Sequence, residues 1–503
     1  MEDDAYVGGL LFPYKRLSFA GAETLTYGRV CAIMSVSFYR RRETMQQVFN
    51  VLSYGAKADG QTLNSVAVQS AIDECAKQGG GVVYFPQGEY VLSTVFLKSG
   101  VKIFIEDGAT VLGSLDFYDY APHEPIDYPI YQDQSHTYFH TSMFVGIDCE
   151  NVGVYGGGTV DMRSVWDEDN VREIVHRGAK CIALKNCKNV EIHSLTILNV
   201  TDLAVYFAGC ENVDVYGLKL RVYIDGISPD NSKNVRIHDC DLETGDDGIV
   251  FKSSYTLNRL GICEDIRVWD CKVKSRCNAI KFGTETNGGF ENILIENVDV
   301  RETRISGIAI ESVDGAIIDG VTLRNITMRN VDAPIFIHVG TRMRGPAGRE
   351  VGEIKNITLE NIVVEGPYQP YDVMAWNYFS FQKGDFHQDP RKFFPKNVEG
   401  CSGTDMWQMT SNICGLKDRP LKNIVLRNVK LLVNGGVDEF KNEVPESAQD
   451  YPEAYVYGWI LPAKGIYFRH VDGLTLENVS VATYMADARE DFRFDSVVNL
   501  QKT

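Results

Sequence analysis

Long apolar runs are missing from this 503-residue chain. None approaches the ~18 residues that a helical membrane span requires, so no membrane partner is expected. Basic charge is in short supply too: 50 Lys and Arg stand against 68 Asp and Glu, a net charge of −18. An acidic surface of that kind repels nucleic acid and anionic membrane, which leaves neutral or weakly charged ligands as the easier partners. No CxxC spacing occurs among the twelve cysteines, and their number in so long a chain does not suggest a disulfide framework. No metal and no cofactor are expected, and a reducing compartment fits best. A basic, apolar leader with a small-residue cleavage site is also lacking, since the chain opens "MEDDAYVGG". The cytoplasm is therefore favoured, with secretion or a periplasmic location left open; oligomeric state is not legible. Residues 1–46 fit the remainder poorly and read as an extension of unknown status, with Met45 as an alternative start.

What the chain does have is repetition. "KNVEIHSLTIL" from Lys188, "ENVDVYGLKL" from Glu211, "KNVRIHDCDL" from Lys233, "EDIRVWDCKV" from Glu264 and "ENILIENVDV" from Glu291 are versions of one unit, and "LKNIVLRNVKL" and "DGLTLENVSV" continue it. Each is a β-branched run with period-2 alternation, opened by Asn, Asp or Gly. A unit of ~22 to 30 residues with several strands and no helical period buries its apolar face only by stacking on its neighbours. The expected fold is all-β: a single-domain right-handed parallel β-helix over 47–503. A β-propeller blade would need ~40 residues and antiparallel hairpins, which do not fit. Ahead of the repeats, "NSVAVQSAIDECAKQ" has helical spacing and would cap the open N-terminal end of the stack. The cysteines recur in one context, "NCKNV", "GCENV", "HDCDL", "WDCKV", and read as small buried hydrophobes. Cys401 and Cys414, close together in an irregular segment, are the one candidate disulfide pair.

"CDLETGDDGIVFKSS", Cys240 to Ser254, suits a surface turn, a calcium loop or a catalytic site. Register against its neighbours narrows the choice. "GISPDNS", "GIVFKSS", "AIKFGTE", "GIAIESV" and "PIFIHVG" align as successive rungs, with Ile227, Ile249, Ile280, Ile308 and Ile335 pointing inward. Strand alternation then turns the third and fifth positions outward, among them Lys252, Lys281, Glu311 and His338. Because 247 − 225 = 22 is one turn of the solenoid, Asp225 and Asp247 stack at about the ~4.8 Å strand spacing, with Asp246 beside them. Crowded carboxylates raise at least one pKa. The trio suits glycoside hydrolysis, in which a carboxylic acid protonates the leaving oxygen and a carboxylate ~6.5 to 9.5 Å away activates water.

With those residues placed, the chain resembles glycoside hydrolase family 28, the polygalacturonase-like inverting pectinases, in a bacterial form. The likeness covers roughly residues 47–500, through "NVLSYGAKADGQTLNSVAVQSAIDECAKQGGGVVYFPQGEY", "DGISPDNSKNVRIHDCDLETGDDGIVFKSS", "APIFIHVGTR" and "YPEAYVYGWILPAKGIYFRHVDGLTLENV". It implies Asp246 as general acid, with Asp225 and Asp247 positioning and deprotonating the water. The family's Asn-Thr-Asp appears as Tyr223-Ile224-Asp225, keeping only the Asp. Its Gly-His-Gly aligns with Arg276-Cys277-Asn278, and its carboxylate-gripping Arg-Ile-Lys with Ala309-Ile310-Glu311. A polygalacturonase would not place Glu311 against a uronate carboxylate. The expected activity is therefore inverting hydrolysis of a plant cell-wall carbohydrate, pectic by preference, with a specificity other than plain polygalacturonan. Lys252, Lys281, Glu311 and His338 are its candidate substrate-binding residues. A β-helix lyase and a non-catalytic carbohydrate-binding solenoid are the alternatives. The ladder is interrupted at 366–418 by an insertion rich in aromatics (Trp376, Tyr378, Phe379, Phe381, Trp407), expected to overhang the cleft.

Overall fold

The asparagines that open each repeat explain how the chain bends. Asn189, Asn212 and Asn234 adopt left-handed backbone conformations, with φ of 53°, 58° and 52°. A short polar side chain reaches this region at lower cost than a bulky one. The bend also points each amide along the solenoid axis: Asn189 Nδ2 donates to Asn151 Oδ1 at 3.1 Å, Asn212 to Asn189 at 3.0 Å and Asn234 to Asn212 at 2.6 Å. A second column at the next corner runs through Asn325, Asn361, Asn428 and Asn478 at 3.0, 2.9 and 2.9 Å.

Between the bends lie three short strands per turn. Val205–Ala208, Glu211–Tyr216 and Lys219–Val222 are followed one turn later by Ile227–Asp230, Lys233–His238 and Asp241–Thr244. Each pairs in parallel with its counterpart. The computed structural model describes residues 47–164, 178–366, 409–446, 449–458 and 460–503, and these form a right-handed parallel β-helix. The 1–46 extension, the aromatic insertion with Trp376, Tyr378, Phe379, Phe381 and Trp407, and Cys401 lie outside the described residues. Among the described residues no helix is long and apolar enough to cross a membrane.

The inward column follows the expected register: Phe144, Ile182, Val205, Ile227, Ile249, Ile280, Ile308 and Ile335 are successive partners, all buried. Beside it Phe251 stacks on Phe282, with centroids 4.7 Å apart. Helix Ser65–Lys77 buries Val68, Ala71, Ile72 and Cys75 on one face against the first strands, which closes the N-terminal end. Cys149, Cys187, Cys210, Cys240, Cys263 and Cys271 are free and buried, as is Cys414.

Two departures from the sequence reading shape the site. Phe251 pairs with Phe282, but the next partners are Ser253 and Thr286; 253 − 251 = 2 against 286 − 282 = 4, so two extra residues bulge from the later rung. A bulge re-aims side chains, and this one brings Glu285 to Lys252. Secondly, the outward face is not open. Residues of 114–141, 340–352 and 449–458 reach across it, so that Lys252, Lys281, Glu311 and His338 point outward from the solenoid yet are buried.

Candidate active site

Asp225 and Asp247 each stand just before a strand of the covered ladder, and each is followed by glycine. The glycines set how closely the rungs approach. A Cβ on Gly226 would meet the Gly248 carbonyl oxygen at 2.6 Å, and one on Gly248 would meet that of Ala279 at 2.6 Å. With both present the ladder stays paired through the turn: Gly226 N donates to Asp247 O at 3.0 Å and Gly248 N to Asn278 O at 2.8 Å. Asp247 N donates to Asp225 Oδ1 at 3.2 Å, tying the lower carboxylate to the upper rung. The Asp246 carbonyl accepts from the Thr244 and Ser275 hydroxyls, both at 2.7 Å, which fixes its backbone.

Asp225, Asp246 and Asp247 are brought together: one carboxylate oxygen of each lies within 4.8 Å of the others. The fold supplies the reason, since Asp225 and Asp247 are one rung apart and rungs repeat at ~4.8 Å. Asp225 and Asp247 are buried, whereas Asp246 is half-buried and the most accessible of the three. Burial, then the charges of Asp246 and Asp247, push Asp225 up to about 8 against the opposing pull of Lys252 and His136. The same oxygens have the geometry to bracket a cation, but the Lys281 ammonium stands 3.5 Å from Asp247 Oδ2 and competes for that place.

Lys252 and Lys281, two of the expected substrate-binding residues, already have partners. Lys252 Nζ donates to Glu285 at 2.9 Å, and Glu285 is held at about 2; burial opposes that shift, and Lys252 and His136 overcome it. Lys281 Nζ donates to Glu453 at 2.8 Å and faces Asp247 at 3.5 Å and Glu311 at 3.7 Å. Glu311 is fully buried, and neither of its oxygens has a hydrogen-bond partner. Burial raises its pKa well above that of an ordinary glutamic acid despite the opposing pull of Lys281. His338 lies beneath Tyr457, with 2.8 Å between its Nδ1 and the hydroxyl. Burial pushes it down to about 3 and leaves it neutral. Glu311 and His338 thus sit under the 449–458 segment rather than in an open cleft.

Sequence reasoning missed Glu453, Glu285 and His136. Glu453 also accepts from Asn278 Nδ2 at 3.2 Å, yet it belongs to a loop with no period to mark it. His136 and His140 stand in an HxxxH spacing that resembles a metal pair. The structure gives them different work: the His140 ring meets Phe96 edge-on, while His136 faces Asp225. Cys277, at the position of the family's histidine, has its thiol pushed well up by burial and then by Asp246 and Asp247, so it remains protonated.

Comparison with known proteins identifies the family. The family model for glycosyl hydrolases family 28 matches residues 75–369. A probable polygalacturonase of Vitis vinifera is 27% identical over 76% of this chain and 74% of its own. An exo-poly-alpha-D-galacturonosidase of Dickeya chrysanthemi is 24% identical over half of each chain. In fold, the family 28 exopolygalacturonase of Yersinia enterocolitica superposes with a TM-score of 0.64 at 20% identity, covering 91% of this chain and 79% of that one. With its parallel β-helix and a family match over more than half its length, the chain belongs to glycosyl hydrolases family 28 and is a glycoside hydrolase.

Proposed function

We propose that the protein is an inverting hydrolase of a pectic polysaccharide or oligosaccharide, and that the ring bound beside Lys281 is a neutral sugar rather than a galacturonate. The carboxylate trio carries the hydrolytic part of this reading. Asp246, the accessible member, donates its proton to the leaving glycosidic oxygen. Asp225 and Asp247 hold a water against the opposite face of the ring, and Asp225 takes its proton as the oxygen adds to the anomeric carbon. Burial favours the proton on Asp225 in the free site, and a glycosidic oxygen bound against Asp246 draws it there.

The lysine environment supports the choice of substrate. Lys281 already faces the carboxyl groups of Asp247 and Glu453, so a uronate carboxylate placed there would compete with both for one cation in a poorly solvated site. Glu311 occupies the place where the resemblance puts a lysine, and it offers no positive charge. A lyase reading would need a calcium ion and a free basic residue, whereas both lysines here are engaged by carboxylates. Release of reducing ends from a panel of polygalacturonan, rhamnogalacturonan and neutral side-chain oligosaccharides tests the proposal. Turnover is expected on the panel members that carry neutral sugars, with polygalacturonan poorest. Best turnover on unsubstituted polygalacturonan would overturn the substrate assignment, and an unsaturated product absorbing in the ultraviolet would overturn hydrolysis.

A further inference from the structure

His136 belongs to the 114–141 segment and is not part of the repeat, yet it reaches the carboxylate trio. Its Nδ1 lies 2.7 Å from Asp133 Oδ1, and that oxygen also accepts from the His136 backbone N at 3.0 Å. Neighbours hold the segment in place: Tyr206 donates to the His136 carbonyl at 3.1 Å, and the His136 ring meets Tyr206 edge-on at 5.5 Å. Glu124 accepts from the backbone of Phe139 and His140 at 2.8 and 3.1 Å. The result is a ring with one nitrogen tethered to a carboxylate and the other, Nε2, aimed at Asp225 Oδ2 from 4.0 Å. That Nε2 is buried and has no hydrogen-bond partner. An orphaned nitrogen in a folded interior costs free energy unless something at the site uses it.

We propose that His136, tethered by Asp133, is a positioning residue for Asp225 that shares the proton which Asp225 takes from the attacking water. The inference rests on the hydrolytic reading above. In the step proposed, a water O–H bond breaks, its oxygen bonds the anomeric carbon and the glycosidic C–O bond breaks. The leaving oxygen takes the proton of Asp246. The water proton passes to Asp225 and is stabilised between Asp225 and His136 Nε2 until exchange with solvent returns a proton to Asp246. The Asp133 tether fixes the tautomer, because an Nδ1–H donated to the carboxylate leaves Nε2 as the atom that gains or loses the proton.

The groups facing His136 decide the sign of its effect. Asp133 on its own segment and Asp225, Asp230 and Glu285 from the ladder favour the imidazolium, while Lys252 and burial oppose it. Their sum raises His136 above an ordinary histidine. A positive ring favours the Asp225 anion, so its removal moves the Asp225 ionisation to higher pH.

Three variants test this: His136→Gln, Asp133→Asn and Asp225→Asn. The first readout needs no substrate. The chain has nine histidines, and loss of one ring signal in His136→Gln assigns His136 in a proton–nitrogen NMR titration. Asp225→Asn is expected to move the His136 titration by at least about one pH unit, since it removes the group with which the ring shares its proton. An unchanged value overturns the proposal. The second readout is the pH profile of kcat on whichever glycan the wild type cleaves. His136→Gln is expected to lower kcat at least tenfold with KM within twofold and to move the acidic limb to higher pH; Asp133→Asn should show a smaller shift of the same sign. A merely structural histidine would lower the melting temperature and leave the limb in place, which also overturns the proposal. If the wild type hydrolyses nothing, the hydrolytic reading fails, and the titration alone still decides whether His136 and Asp225 share a proton.

Discussion

Asp247 divides the site into two halves built from the same kinds of side chain. On one side stand Asp225, Asp246 and the orphaned Nε2 of His136, a group that includes the accessible Asp246. On the other stand Lys281, Glu453, Glu311 and His338, where the cation is paired with Glu453, the Glu311 carboxyl is raised well above an ordinary glutamic acid and the imidazole is neutral. The proposed mechanism uses the charge of the first half for chemistry. In the second it is consumed by the fold, which sets the shape and the electrostatic preference of the cleft.

This contrast is broken most severely at the accessible carboxylate. Asp246→Asn should lower kcat by at least ~10³-fold, within the range for removing a general acid, while circular dichroism and thermal midpoint stay near wild type. A variant that keeps most of its activity would move the chemistry elsewhere. The opposite half should respond in stability. Lys281→Met strands Asp247 and Glu453 without their counter-ion, and ~3 to 5 kcal/mol of destabilisation in urea unfolding is expected. Adding Glu453→Gln should restore part of that loss, since the two residues interact.

A pH-dependent effect sharpens the first half. The folded pKa of Asp225, about 8, lies above the ~3.9 of an unfolded aspartate. The native state therefore binds the extra proton between those values, and stability from this group is full below pH ~4 and lost as pH rises to about 8. Asp225→Asn escapes that loss, so its melting temperature relative to wild type should climb from pH 4 to 8 and then level off. The smallest effect belongs outside both halves. Asn212→Ala keeps a left-handed bend with an ordinary side chain and should cost ~1 to 2 kcal/mol, whereas Asn212→Gly should cost less because glycine tolerates φ of 58°.

What was legible in the sequence is what the solenoid repeats. The inward isoleucine column, the turn asparagines and the stacking of Asp225 on Asp247 follow from one period read in register. What was not legible arrives from outside the period. Glu453 meets Lys281 across 172 residues of chain, and His136 reaches Asp225 from a connecting segment. Glu285 reaches Lys252 only because two extra residues bulge from its rung. Alternation gave the direction of Lys252, Lys281, Glu311 and His338 correctly, since direction is a property of the strand. It could not give their burial, which depends on segments with no pattern of their own.

The stacked trio is the centre of the account, and the anomer of the first product tests it most directly. Neighbouring carboxyl groups can act as acid and base across a water or as acid and nucleophile, so stereochemistry separates two mechanisms that share these residues. Proton NMR of the earliest product released from a cleaved pectic oligosaccharide should show the anomer opposite to that of the bond broken, and no product with Asp246→Asn. A first product of retained configuration would contradict the assignment of Asp225 and Asp247 to a water and would make one of them a nucleophile.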